Sequence, residues 1–181
     1  MKREVRIVVL QPIDIAVAFS AAYRRKRDGQ WSPKIVRDDL NLPWSSLNLS
    51  LARLEGANVV RDGRVNRQAL AAMLPALQYL VPAEPDRSRR VRGIATGVSA
   101  PMFERRILSR EPLVWESENG DTERVPIKPL HPRIPDAVIQ DPERYSLLAC
   151  LDAIRGGKAR EFRIAGDKLR ELAGLPPPMT R

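Results

Sequence analysis

The residues best suited to chemistry are short polar side chains and cations gathered in one stretch, residues 34–67. Ser45, Ser46 and Asn48 carry hydroxyl and amide groups that hydrogen-bond to base edges or phosphates, and an asparagine amide can pair bidentately with adenine. Lys34, Arg37, Arg53, Arg61, Arg64 and Arg67 flank them and suit phosphate oxygens, contacts that position a protein on a duplex without specifying sequence. These nine residues are the candidate contacts to double-stranded DNA. The helix face shared by Trp44, Ser45, Asn48, Leu49 and Ala52 carries no arginine to pair with guanine. Its apolar Leu49 and Ala52 suit either a thymine methyl or the surface of a partner protein. Arg24-Arg25-Lys26-Arg27 reads as a solvated helix end, and Arg87, Arg89, Arg90 and Arg92 as either an arm along DNA or a soluble loop.

Catalytic chemistry finds little to work with. Gly93 to Gly97 lacks the spacing of a Walker or dinucleotide-binding loop. His131, the only histidine, stands between prolines and reads as a structural residue in a turn. Cys150, the only cysteine, lies beside Leu147, Leu148 and Leu151 and reads as a buried packing residue. One cysteine and one histidine exclude an internal disulfide and a Cys/His zinc site built from a single chain. The expectation is a protein with no catalytic site, no metal and no cofactor.

The elements that must position the polar set follow from periodicity. Pro12 suits a first helical turn, Ile15, Ala16, Phe19, Ala22 and Tyr23 give one apolar face, and Asp28-Gly29 ends the helix. Ser32-Pro33 starts a short second helix with Ile35, Val36 and Leu40 inward, ending near Asn41. A turn at Asn41-Leu42-Pro43 leads to a third helix, about Trp44 to Glu55, with Leu47, Leu51 and Leu54 inward and Gly56 as its stop. Asp62-Gly63 between short β-branched flanks predicts a tight hairpin. Asn66 caps a fourth helix in which Pro75 must make a kink or break. Further on, residues 113–115 and 125–127 around Asn119-Gly120 predict a second hairpin. Helices over 142–154 and 158–173, joined at Gly156-Gly157, predict a helical hairpin.

The chain has 181 residues and a formal charge of +9. Residues 1–92 hold 17 basic and 9 acidic side chains, whereas residues 93–181 hold 14 and 13, so the excess lies almost wholly in the first half. A basic half beside a near-neutral one suits a polyanion-facing module joined to a module with another task. No apolar run reaches the roughly 18 to 20 residues of a membrane span, and residues 1–10 do not have the form of a secretory signal, so a cytoplasmic location is expected. Prolines crowd residues 82–135 and exclude one long helix there. The expected class is mainly α with small β hairpins. The expected organisation is a DNA-binding unit over 1–81, a proline-rich connector with a hairpin over 82–140, and a terminal helical hairpin over 141–175. That last hairpin carries more apolar side chains than two helices can hide, which suits a homodimer interface or packing on the helix at 66–80.

Helix, helix, turn, helix and tight hairpin in that order make a helix-turn-helix with a reduced wing. Ile35-Val36-Arg37-Asp38-Asp39-Leu40-Asn41-Leu42, followed by Ser45 through Val60, resembles bacterial winged-helix transcription regulators of the MarR and ArsR kind. That resemblance implies that the helix at 44–55 is the recognition helix. Gly63 to Leu70, Gln78 to Glu84, Pro112 to Trp115, Pro129 to Pro132 and Leu148 to Glu161 are similar to a bacterial group labelled as winged-helix regulators of undefined role. The group places basic or polar residues where this chain has Leu49 and Ala52. The resemblance also implies that some members of the group sit beside nucleotidyltransferase-like toxins, which suggests an antitoxin-like repressor. The expectation is a dimeric DNA-binding repressor, or alternatively an antitoxin-like or assembly module that holds a partner protein through the face of helix 44–55.

Overall fold

The computed structural model describes residues 8–104, 107, 111–156 and 159–177. The expectations for residues 1–7, Gly157, Lys158 and Pro178 lie outside them. Pro12 opens α1 (Pro12–Asp28), where Asp14 accepts the Gln11 backbone N–H at 2.7 Å, and Gly29 closes it with φ 73°. One apolar face was expected, but every residue from Asp14 to Tyr23 is buried. Val17, Ala18, Ser20 and Ala21 are as enclosed as Ile15 and Phe19, so α1 is a central helix packed on more than one side. Its alanines allow neighbouring helices to approach closely.

Ser32 caps α2 (Pro33–Asp39), its hydroxyl accepting the Ile35 N–H at 3.3 Å. Asn41 then takes a left-handed conformation (φ 50°) and α3 (Trp44–Gly56) follows after Pro43. Gly56 is the last helical residue of α3, not its stop; the left-handed position falls on Asn58, φ 56°. Leu47, Ser50 and Leu54 are buried, while Leu51 is half-buried. The tight hairpin is present: β1 (Val60–Arg61) and β2 (Arg64–Val65) pair antiparallel, Val60 with Val65 and Arg61 with Arg64. Asp62 and Gly63 both have positive φ, 50° and 69°, the requirement of a type I′ turn. Asn66 caps α4 (Arg67–Met73), and Pro75 sits in a 3₁₀ turn that separates it from α5 (Leu77–Leu80), the break the sequence predicts.

The second hairpin is not formed. β3 (Val91–Thr96), absent from the sequence reading, runs antiparallel to both β4 (Leu113–Glu116) and β5 (Thr122–Pro126). β4 and β5 are therefore parallel to each other, and the three strands close into a small barrel. The Asn119-Gly120 pair makes no I′ turn, because neither residue has positive φ. Gly120 instead packs directly on the Gly93 backbone, where a Cβ would collide with the Gly93 carbonyl. Arg92 belongs to β3, and Arg87, Arg89 and Arg92 are tied down, while Arg90 is exposed. Arg87 pairs with Glu111 at 2.6 Å, Arg89 with Asp86 and Glu116, and Arg92 donates to the Gly120 carbonyl at 2.6 Å. A free arm at this place is thereby corrected to an ordered strand and its approach.

A short α6 (Ile134–Val138) precedes α7 (Pro142–Gly156), whose first turn is capped by Asp141 accepting the Glu143 and Arg144 N–H groups. α8 (Ala159–Ala173) ends the described fold. Leu147, Leu148, Leu151 and Leu169 are fully enclosed within the protomer. α8 packs on α7 and α1, and α5 packs on α7. Most of the apolar surplus that suggested a dimer interface is thus taken up inside one chain, while Phe162 stays half-buried. One continuous apolar cluster runs from Ile15 to Leu175 and joins the three expected regions. The class is mainly α with small sheets.

Candidate nucleic-acid interface

α3 presents the polar face that its spacing predicts. With Leu47, Ser50 and Leu54 turned inward, Trp44, Ser45, Asn48, Leu49 and Ala52 are exposed, and Ser46 is half-buried at the edge. Trp44 is 45% exposed and Leu49 62%, large values for apolar side chains. The Arg37 guanidinium lies over the Trp44 ring, 4.9 Å from its centroid, and covers part of the indole with a cation. This contact holds the end of α2 against the start of α3.

The cations of the sequence reading separate into distinct environments. Lys34 pairs with Asp38 one turn along α2 at 2.8 Å, and Arg37 also bonds to Asp38. Lys34 first, then Arg37, holds the Asp38 carboxyl below its usual range. Arg61 and Arg64 stand on the hairpin, which begins four residues after α3 ends, and they are direct cross-strand partners. Arg61 is 79% exposed and only 3.8 Å from the carboxylate of Asp62. Asn58, Asp62, Val65 and Asn66 complete an open concavity around the two arginines.

Arg53 is placed differently. Its Nε and Nη2 each donate to the carboxylate of Asp14 on α1, both at 2.8 Å. Asp14 is fully buried, so this bidentate pair fixes α3 to the central helix. The Asp14 hydrogen bond keeps the Arg53 guanidinium protonated more firmly than usual. Arg53 is therefore corrected from a phosphate contact to a packing arginine. Arg67 donates to the Gly174 carbonyl at 3.1 Å, at the far end of α8, and is not grouped with the hairpin pair.

The basic run at the end of α1 is a junction rather than a bare helix terminus. Arg24 donates two bonds of 2.6 Å to Asp39, and Arg144 of α7 reaches the same carboxylate at 3.0 Å. Arg27 donates to the Tyr23 hydroxyl, which donates in turn to Glu143 at 2.8 Å. A second polar cluster went unread in the sequence. Asp152 on α7 accepts the Thr96 hydroxyl at 2.9 Å and the Trp115 indole N–H at 2.5 Å, and it pairs with Arg155. Arg155 also donates to the Val81 and Pro82 carbonyls. All four side chains are buried, so the cluster serves assembly and offers no open site. An aspartate and an arginine three residues apart on an otherwise apolar helix are the only signal that could have revealed it.

His131 sits in a turn, its Nδ1 accepting the Arg133 N–H at 3.3 Å, and burial pulls its pKa below the ordinary value. Cys150 is fully enclosed, and burial pushes its thiol up to about 12, far from a reactive thiolate. Among the described residues no group of acidic, histidine or cysteine side chains is arranged to hold a metal ion, and no helix is long and apolar enough to cross a membrane. No protein-family model, curated protein or solved structure matches the chain.

Proposed function

We propose that this chain is a sequence-specific DNA-binding transcription regulator, a cytoplasmic repressor that acts as a homodimer. In this reading residues 12–65 form a winged helix-turn-helix, with α3 in the major groove of double-stranded DNA and the β1–β2 hairpin as a small wing against the backbone. The supporting observation is the Arg61–Arg64 pair. Like charges directly opposite on a two-strand hairpin are destabilising, and a phosphate between them removes that repulsion. The pair stands just beyond a helix whose outer face carries Ser45 and Asn48. Lys34 and Arg37 on α2 supply further positive charge, Arg37 directly over the Trp44 ring.

Two copies would read two half-sites about one duplex turn, roughly 34 Å, apart. Since α7 and α8 bury most of their apolar side chains within the protomer, the two-fold contact would draw on other residues, and Tyr79 and Leu80 on α5 are exposed for it. Anisotropy titrations against labelled duplexes test the reading. Arg64→Ala should weaken binding to all sequences alike, and Asn48→Ala should relax preference at one base pair. Equal losses on matched and scrambled duplexes for Asn48→Ala would refute its reading role. A partner-protein reading is favoured by the exposure of Trp44 and Leu49. Co-purification of a partner with no duplex binding would support that reading instead.

A further inference from the structure

We propose that α3 reads thymine C5-methyl groups, so that the preferred ligand is a duplex presenting A·T pairs to α3 and not one presenting guanine edges. The inference rests on α3 as the groove helix and names the chemistry it selects there. Guanine readout calls for a guanidinium or ammonium on the outer face, and α3 has none free to serve. Its only arginine, Arg53, is bound bidentately to the buried Asp14. Arg37, the nearest cation on α2, lies over the Trp44 ring and bonds to Asp38. Between Trp44 at the start of the helix and Glu55 in its last turn, the outward residues are Ser45, Asn48, Leu49 and Ala52, at positions i, i+3, i+4 and i+7. These cover about 10 Å of helix, or about three base-pair steps. Asn48 supplies the donor and acceptor that match adenine N7 and N6, and Leu49 beside it supplies the apolar surface that matches the thymine methyl.

A protein partner fits this face less well. Trp44 is partly covered by Arg37, and Leu49 is the only other large apolar side chain exposed on α3, among small and polar neighbours. Stable protein interfaces bury an apolar centre many residues across. The elements that adjoin α3 in the chain carry exposed cations, Lys34 on α2 and Arg61 with Arg64 on the hairpin, which complement a polyanion better than an apolar partner.

Replacing thymine by deoxyuridine tests the idea, because it removes the methyl and leaves the charge and hydrogen-bonding groups in place. The probes are poly(dA-dT), poly(dA-dU) and poly(dG-dC) duplexes, titrated with the full chain and with two variants. One buried methyl is worth about fourfold in affinity. The wild type should therefore favour poly(dA-dT) over poly(dA-dU) by about four- to sixteenfold and bind poly(dG-dC) more weakly than poly(dA-dT). Leu49→Ala, at an exposed position where folding is not at stake, should bring the dT/dU ratio to within about twofold of unity and leave the salt dependence unchanged. Arg64→Ala should weaken both A·T polymers equally and preserve the ratio. Saturable binding with equal affinity for the dT and dU duplexes overturns the inference while DNA binding stands. A dT/dU preference that persists in Leu49→Ala overturns the assignment to α3. Absence of binding to any of the three duplexes overturns the proposed function itself.

Discussion

Arg53 shows how one residue type serves opposite ends depending on where the fold turns it. Its carboxylate partner Asp14 is fully buried, while Arg53 itself is 28% exposed. Removing the guanidinium would leave Asp14 with only its own N-terminal cap and the helix dipole. Arg53→Ala should cost about 2–3 kcal/mol in urea unfolding, below the roughly 3–5 kcal/mol of a fully buried pair because water reaches this one. The change should not alter the salt dependence of duplex binding. That dependence should itself be moderate. With Arg53 turned inward, Arg37 stacked and Arg67 held at the end of α8, Lys34, Arg61 and Arg64 remain for phosphates. The slope of log affinity against log salt should then lie at about −2 to −3 per protomer, measurable by anisotropy. His131 gives a cleaner titration because it is the only histidine. Burial disfavours its charged form, so its NMR midpoint should fall below 6.5. The unfolded chain then binds the proton more tightly, so this residue's contribution to stability is complete above pH 6.5 and declines as pH falls below it.

At the level of elements, the first 80 residues were largely legible because local signals dominate there. Pro12, Ser32-Pro33, Asn66 and Pro75 fix helix starts and a break by covalent geometry and capping alone, and Asp62-Gly63 supplies the two positive φ values of its turn. The outward face of α3 followed from its spacing. What the spacing could not show was the destination of Arg53, whose partner lies 39 residues away. The small barrel was illegible for a related reason. β3 pairs with strands about twenty to thirty residues later, and nothing local distinguishes Val91–Thr96 from a loop. Asn119-Gly120 was misleading because a tertiary contact, Gly120 on Gly93, overrides its usual turn preference. Two tyrosines join elements and set a limit at high pH. Tyr23 links α1 to α7 through Glu143, and Tyr145 links α7 to β3 through the Ala95 carbonyl at 2.5 Å. Burial pushes both phenols up to about 12. Their contribution to stability is whole below pH 10 and is lost as pH rises from 10 to 12, which circular dichroism with ultraviolet titration of tyrosinate should show as coupled transitions.

For the whole molecule, the central position of α1 decides what can stand alone. Residues 12–65 have α1 as their hub, and the same helix is covered on other sides by α7 and α8. A fragment ending at Val81 would expose that covered surface and lose the Arg155 bonds to the Val81 and Pro82 carbonyls. Such a fragment should lack the protected amides and cooperative melting of the full chain, as hydrogen exchange and calorimetry would reveal. Residues 12–81 and the C-terminal helices therefore share one cooperative structure, and a ligand held by the first would be felt by the second.

The same Arg155 contacts bear on how the chain matures as it is made. Residues 12–81 leave the ribosome with their hub helix bare on the sides that α7 and α8 will cover, and the side chain that secures Val81 and Pro82 emerges only seconds later, at roughly 5–20 residues per second. The nascent first eighty residues therefore wait for the end of translation before they close, and a message cut short after the hairpin codons yields a chain for chaperones and proteases rather than a smaller folded protein.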